Sequence, residues 1–162
     1  MEFDESFDAR WARLQELGPI DVHDVLKLRQ DVFLLEQTSL YQDIDGKDPD
    51  ALHLLVRTRT AGDLVGIIRL FAEPDVGTAR IGRVVIASGQ RGSGLGRKMM
   101  LAGIEKAGEI APGCPIDLSA QAHLEEFYNA LGFETVSDKY IKDGILHIDM
   151  ICQGKRPGLP FV

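Results

Sequence analysis

Val84-Val85-Ile86-Ala87-Ser88-Gly89-Gln90-Arg91-Gly92-Ser93-Gly94-Leu95-Gly96-Arg97-Lys98 is the stretch on which the reading of this chain turns. An apolar run that suits a strand gives way to glycines. Apolar residues then return at helical spacing, Leu95, Met99, Ala102, Ile104 and Ala107 among them. That period predicts a helix over residues 94–109, ended by Ala111-Pro112-Gly113. Glycines let the backbone turn sharply with its N–H groups pointing inward, and a helix start adds unpaired donors and the positive end of the helix dipole. Such a place receives a phosphate or pyrophosphate. An ATP-type phosphate loop would follow its Gly-Lys pair with Ser or Thr, whereas Gly96 is followed by Arg97, Lys98 and Met99, with no hydroxyl for magnesium. A dinucleotide fingerprint would open the first βαβ unit, whereas Gly92, Gly94 and Gly96 alternate and lie mid-chain. Taken alone, the segment also fits an ordinary glycine-rich turn before a helix.

Upstream, three strand-like runs at residues 51–57, 64–71 and 79–86 are separated by Ala61-Gly62-Asp63 and Pro74-Asp75-Val76-Gly77. Short turns between such runs predict an antiparallel meander. Before them, residues 9–14 read as a short strand, Gly18-Pro19 as a break, and Asp21 as the cap of a helix reaching about Glu36. Residues 41–50 form a turn-rich loop, Tyr41-Gln42-Asp43-Ile44-Asp45-Gly46-Lys47-Asp48-Pro49-Asp50. Its acidic spacing resembles a calcium loop, but Gly46 stands fourth from Asp43 and not sixth. Downstream come a buried strand at residues 115–120, a helix at 122–131 stopped by Gly132, and two strands at 133–140 and 145–152 around Lys142-Asp143-Gly144. The expected class is α/β, with a mostly antiparallel sheet and one parallel crossover.

The chain has 162 residues, 44% apolar and 27% charged, without repeats or linkers, so a single domain over residues 1–162 with an irregular tail from 153 is expected. A net charge of −7 argues against duplex DNA as a partner, because that affinity needs a basic surface. Nothing in the composition suggests a membrane span. Arg91, Arg97 and Lys98 still make a local basic cluster fit for a small anion. Cys114 and Cys152 fit neither a zinc site nor a disulfide framework and read as buried thiols. Residues 1–10 are acidic and lack the pattern of a signal peptide, so a cytoplasmic protein is expected.

A second segment, Phe127-Tyr128-Asn129-Ala130-Leu131-Gly132-Phe133, joins a helix end to a strand start one strand after the glycine loop. The pair of segments resembles the GNAT family of N-acetyltransferases. Arg91-Gly92-Ser93-Gly94-Leu95-Gly96 is similar to its R/Q-x-x-G-x-G/A loop, and residues 127–133 to its F-Y-x-x-x-G-F segment. Val32-Phe33-Leu34-Leu35-Glu36-Gln37, Tyr41-Gln42-Asp43-Ile44-Asp45-Gly46, Ile81-Gly82-Arg83-Val84 and Ala120-Gln121-Ala122-His123-Leu124 further resemble the branch called ElaA-like acetyltransferases. The likeness covers most of residues 20–152 and says almost nothing of the acceptor.

The resemblance implies a GNAT-like sheet in which a splayed parallel strand pair receives the pantetheine arm of acetyl-CoA. By position, Val84, Val85 and Ile86 would bond the pantetheine through their backbone. Arg91, Gly92, Ser93, Gly94, Leu95, Gly96 and Arg97 would cradle the pyrophosphate, and Gln121 stands where many relatives carry a pantetheine-binding Asn. A neutral amine would attack the thioester directly, a strand N–H would stabilise the oxyanion, and Tyr128 would protonate the departing thiolate, with no metal required. Many members carry a Glu on the strand before the loop; Gly82-Arg83-Val84-Val85 stands there instead. Glu36, His53, His123 and His147 therefore all remain candidates for the base, directly or through water. Arg69, Arg80 and Arg83 read as solvated strand residues or as anchors for an acidic part of the acceptor, and the loop from Asp43 to Asp50 as an attractor for a cationic amine. The expected partner is a small-molecule or peptide amine, and a homodimer through a sheet edge or the tail is compatible with the sequence. A noncatalytic CoA-binding sensor is the alternative.

Overall fold

The computed structural model describes residues 3–154, so most of the expected irregular tail lies outside the described residues. Strand β1 (Phe7–Arg13) leads to helix α1 (Pro19–Arg29), then to β2 (Leu52–Thr58), β3 (Leu64–Glu73) and β4 (Thr78–Ile86). Helix α2 (Leu95–Ile110) crosses to β5 (Ile116–Gln121), and the short α3 (Glu125–Asn129) precedes β6 (Glu134–Thr135), β7 (Tyr140–Lys142) and β8 (Ile145–Cys152). One sheet takes all eight strands of the described residues in the order β1-β2-β3-β4-β5-β8-β6, with β7 also on β8. The expected meander is present, since β1 through β4 pair antiparallel in sequence, and β4–β5 is the parallel pair.

Strand alternation sends neighbouring apolar residues to opposite faces, which is why β2 and β3 are nearly continuous hydrophobic runs. Leu54, Ile68, Leu70 and Ile81 pack with Met99, Met100 and Ile104 of α2, while Leu55, Ile67 and Val85 pack with Val25, Leu28 and Val32 on the other face. Helices on both faces bury the sheet at its centre.

Several local expectations are corrected. Gly18 is the N-cap of α1, with Pro19 in the first helical position, which its fixed φ suits. Asp21 lies inside the helix and pairs with Arg10 and Arg57. The helix does run on to Glu36, but as a wider π-helical segment, Gln30–Glu36. The helix expected at residues 122–131 is shorter, a 3-10 turn at Ala122–Leu124 followed by α3. Gly132 ends that region at φ +97. The run at residues 133–140 is two short strands and not one, while the hairpin turn falls at Asp143 and Gly144, both at positive φ as a type I′ turn requires. Cys152 is buried as expected, but Cys114 is only half-buried.

Candidate active site

The site begins where two parallel strands part. β4 pairs with β5 only at Ala79 opposite Ile116 and Arg80 opposite Asp117, although both strands run on for several residues. Beyond Arg80 the β4 edge facing β5 has no strand partner, and unpaired backbone groups at a sheet edge are ready to take another extended segment. The gap opens into a cleft of about 450 Å³, with Gly82, Val84, Ser119, Gln121, Leu124 and Tyr128 in its walls.

A bulge re-aims β4 at this point. Its register against β3 slips between Ile67 opposite Val85 and Arg69 opposite Gly82, and Arg83 sits at φ +47. A non-glycine residue in the left-handed region costs about 1–3 kcal/mol and persists only where its surroundings hold it. Here the guanidinium is held at several points. Nε lies 2.8 Å from Asp43 Oδ1, in ion-pair range, Nη2 donates to the Asp43 carbonyl at 3.1 Å, and the group lies over the Tyr41 ring, 5.2 Å from its centroid. A continuous strand was expected. The isolated Gly82 was the signal for a bulge.

Arg83 belongs to a larger ionic lattice that forms one wall. Arg29, only 1% exposed, donates to Asp43 Oδ2 and Asp48 Oδ1, each at 2.8 Å, and to the Asp43 carbonyl at 2.7 Å. Buried Arg69 forks onto Asp45 at 2.9 Å through both terminal nitrogens and reaches Asp48 at 3.1 Å. Burial alone would raise the Asp48 and Asp45 carboxyls, but the hydrogen bonds from these arginines outweigh it and hold both below the usual carboxylate range. Two expectations are thereby corrected. Arg69 is no solvated strand residue, and three carboxylates of the acidic loop are occupied by three arginines and so are not free to draw in a cationic amine. Arg80 is half-exposed and pairs with Asp117 and Ser119. Arg29 was missed, although a cation within the apolar stripe of Val25, Leu28 and Val32 is a sequence signal for a buried pair.

At the end of β4 the glycine loop leads into α2. Gly92 and Gly94 take φ +78 and +83, and Gly94 is the N-cap of a 16-residue helix without a side-chain cap or an acidic residue in its first turn. Helix starts favour negative charge, yet this one carries Arg97 and Lys98 in its first turn, with Lys98 reaching Asp4 at 3.3 Å. Leu95 anchors the turn in the core at 2% exposed, and the Ser93 hydroxyl donates to the Gln90 carbonyl at 2.6 Å. A Cβ on Gly94 would meet nothing within 4 Å; one on Gly96 would stand 2.8 Å from Ile86 Cδ1 and 3.7 Å from Phe127. Gly96 therefore lets the helix start pack onto β4 and α3. Arg91 is already engaged: its guanidinium forks onto the Glu36 carboxylate and donates to the Ile86 carbonyl at 3.1 Å.

The remaining site residues fall on both sides of the cleft. Val84 lines it, and Val85 is turned into the α1 core. Gln121 lines it and donates to Gln37 Oε1 at 3.0 Å. Tyr128, 6% exposed, is wedged edge-on between Phe127 and Phe133, with ring centroids 5.0 and 6.0 Å away. Its carbonyl accepts from the N–H groups of Leu131 and Phe133, which fixes the helix end that carries it. Burial pushes its hydroxyl up to about 12.

The four candidate bases separate. Glu36 is held below its ordinary range by the Arg91 hydrogen bond. His53 is 2% exposed, lowered by burial, and bonds the Asp48 carbonyl behind the ionic lattice. His123 is exposed on the 3-10 turn and absent from the cleft wall. His147 lines the cleft. Among the described residues no three His, Cys, Asp or Glu side chains gather as a metal site, and no helix is long and apolar enough to cross a membrane.

Comparison with known proteins agrees with this architecture. A family model described as an acetyltransferase (GNAT) domain matches residues 23–153. A UPF0039 protein from Synechocystis sp. is 42% identical over 142 residues, 87% of this chain and 92% of the relative. Protein ElaA from Escherichia coli is 38% identical over 138 residues, 83% of this chain and 89% of ElaA, and its crystal structure superposes with a TM-score of 0.83. A crystal structure of an acyl-CoA N-acyltransferase from Pseudomonas aeruginosa is 36% identical, with a TM-score of 0.84 over 91% of this chain and 99% of that one.

Proposed function

The chain belongs to the GNAT acetyltransferase family, in its ElaA-like group, and from that premise we propose that it transfers an acetyl group from acetyl-CoA to a primary amine of a small molecule or peptide. The observation that carries the reading is the parting of β4 from β5 beyond Arg80, in line with an uncapped, basic helix start. The residues present fit the co-substrate. The free β4 edge at residues 82–86 suits a pantetheine laid as an extra strand, with Gln121 opposite. The open N–H groups from Gly92 to Arg97 suit a pyrophosphate, whose charge would also answer that of Arg97 and Lys98. Arg91 would serve it while still braced by Glu36.

Acetyl-CoA supplies an activated thioester carbonyl. The chain's own part is to orient, exclude water and manage protons. The role of stabilising charge developing on the carbonyl oxygen falls to a backbone N–H at the Arg83 bulge, where β4 departs from its regular register with β3. Tyr128, protonated throughout the physiological range, donates to the leaving sulfur.

The test is incubation with acetyl-CoA and a panel of primary amines and peptides, read by mass spectrometry. Acetylated product on any amine above the uncatalysed rate is the expected result. Tight binding of acetyl-CoA with no product on every amine would replace the enzyme reading with a noncatalytic sensor.

A further inference from the structure

The strand that closes the far side of the cleft, β8, brings an imidazole to it, and the geometry points to His147 as the general base for the acceptor amine, with Nε2 as the atom that takes the proton. This rests on the proposed transferase activity. His147 Nδ1 lies 2.7 Å from the Ile145 carbonyl oxygen. A carbonyl only accepts, so Nδ1 carries the hydrogen, and the neutral ring keeps its lone pair on Nε2. The ring is stacked on Tyr140, with centroids 6.1 Å apart and planes 26° from parallel. Tyr140 is fixed in turn by its hydroxyl, which donates to Asp149 Oδ1 at 2.5 Å, where the Ser119 hydroxyl also donates at 3.0 Å. His147 stands opposite Gln121, the last residue of β5, so base and Tyr128 border one cleft from different elements.

The other charged groups around it leave the role to the imidazole. On its own hairpin are Tyr140, Lys142, Asp143 and, two residues along β8, Asp149. Across the cleft are Tyr41, Asp45, Arg69 and Arg83, and toward β4 and α3 are Arg80 and Tyr128. Asp45 is paired by Arg69, Arg83 by Asp43, and Arg80 by Asp117. Lys142 and Asp143 add one charge of each sign. As the amine nitrogen bonds to the acetyl carbon, its proton passes to His147 Nε2. The C–S electron pair leaves with sulfur, which takes the Tyr128 proton, and solvent returns a proton from imidazolium to phenolate.

The test uses a responsive amine and the variants His147→Gln and His147→Ala, with acetyl-CoA affinity measured beside turnover. His147→Gln is expected to lower kcat/KM by about 10²-fold with acetyl-CoA affinity within twofold. The pH dependence of kcat/KM should also differ from that of the wild type. Added imidazole should restore part of the rate to His147→Ala, which a purely structural role would not allow. Wild-type rate and pH profile in His147→Gln overturn the assignment while leaving the transferase reading intact. A wild-type protein that acetylates no amine overturns both.

Discussion

Residues here carry function by what surrounds them more than by what they are. Tyr128 was legible from its place in a short segment, but the burial that keeps its hydroxyl protonated is displayed by no segment. Because its hydroxyl is raised to about 12, the donating form persists as pH rises through the ordinary phenol value near 10 and is lost only beyond it. The kcat profile should therefore show no basic limb from Tyr128 below about pH 11; a Tyr128-dependent fall near pH 9 would contradict this. Arg29 is the converse case, a residue whose surroundings make it structural. Arg29→Ala leaves Asp43 and Asp48 without its hydrogen bonds and should cost about 3–5 kcal/mol in urea denaturation, against well under 1 kcal/mol for an exposed pair. Asp45 and Asp48, with folded values below the ordinary carboxylate near 3.9, contribute stability that is complete above that value. It is lost as pH falls through the depressed folded values, so the denaturation midpoint should be level near neutrality and decline below about pH 4.

At the scale of elements, the sequence was read well where a period ran undisturbed and poorly where tertiary structure interrupted it. The 3.6-residue pattern of α2 and the turn-bounded apolar runs of β2 to β4 located those elements within about two residues. The run at residues 133–140 did not stay one strand. Ladder pairing with β8 covers Glu134 and Thr135 and then Tyr140 to Lys142, with one further bond between them, from the Val136 N–H to the Asp149 carbonyl at 2.9 Å. The Arg83 bulge is held by Asp43 and Tyr41, some forty residues earlier, so only Gly82 hinted at it locally. Gly96 joins elements in the same way: it lets the start of α2 lie on the end of β4. Gly96→Val should therefore lower stability by about 1–3 kcal/mol through overpacking against Ile86 and weaken acetyl-CoA binding together with it. Calorimetry and thermal melts of that variant check the coupling; normal affinity in a destabilised protein would show the loop indifferent to this contact.

Across the whole molecule, a net charge of −7 coexists with a basic helix start, because binding a small anion needs local donors and not an overall sign. The order of elements and the two segments around the parallel crossover were enough to expect the fold, since both lie in continuous sequence. The cleft's far wall was not, because loop 41–48, β5 and the β7–β8 hairpin meet only in space. If the cleft receives acetyl-CoA, a hundredfold excess over Kd should stabilise the fold by about 2.7 kcal/mol, raising Tm by about 5–10 °C, with the gain shrinking as salt screens the phosphates. The most direct test of the account is thiol release from acetyl-CoA, measured across amines for the wild type and Tyr128→Phe side by side. The account predicts amine-dependent release that falls about 10²-fold in the variant while acetyl-CoA affinity persists. Equal release by the two proteins, or none from the wild type with any amine, would contradict it.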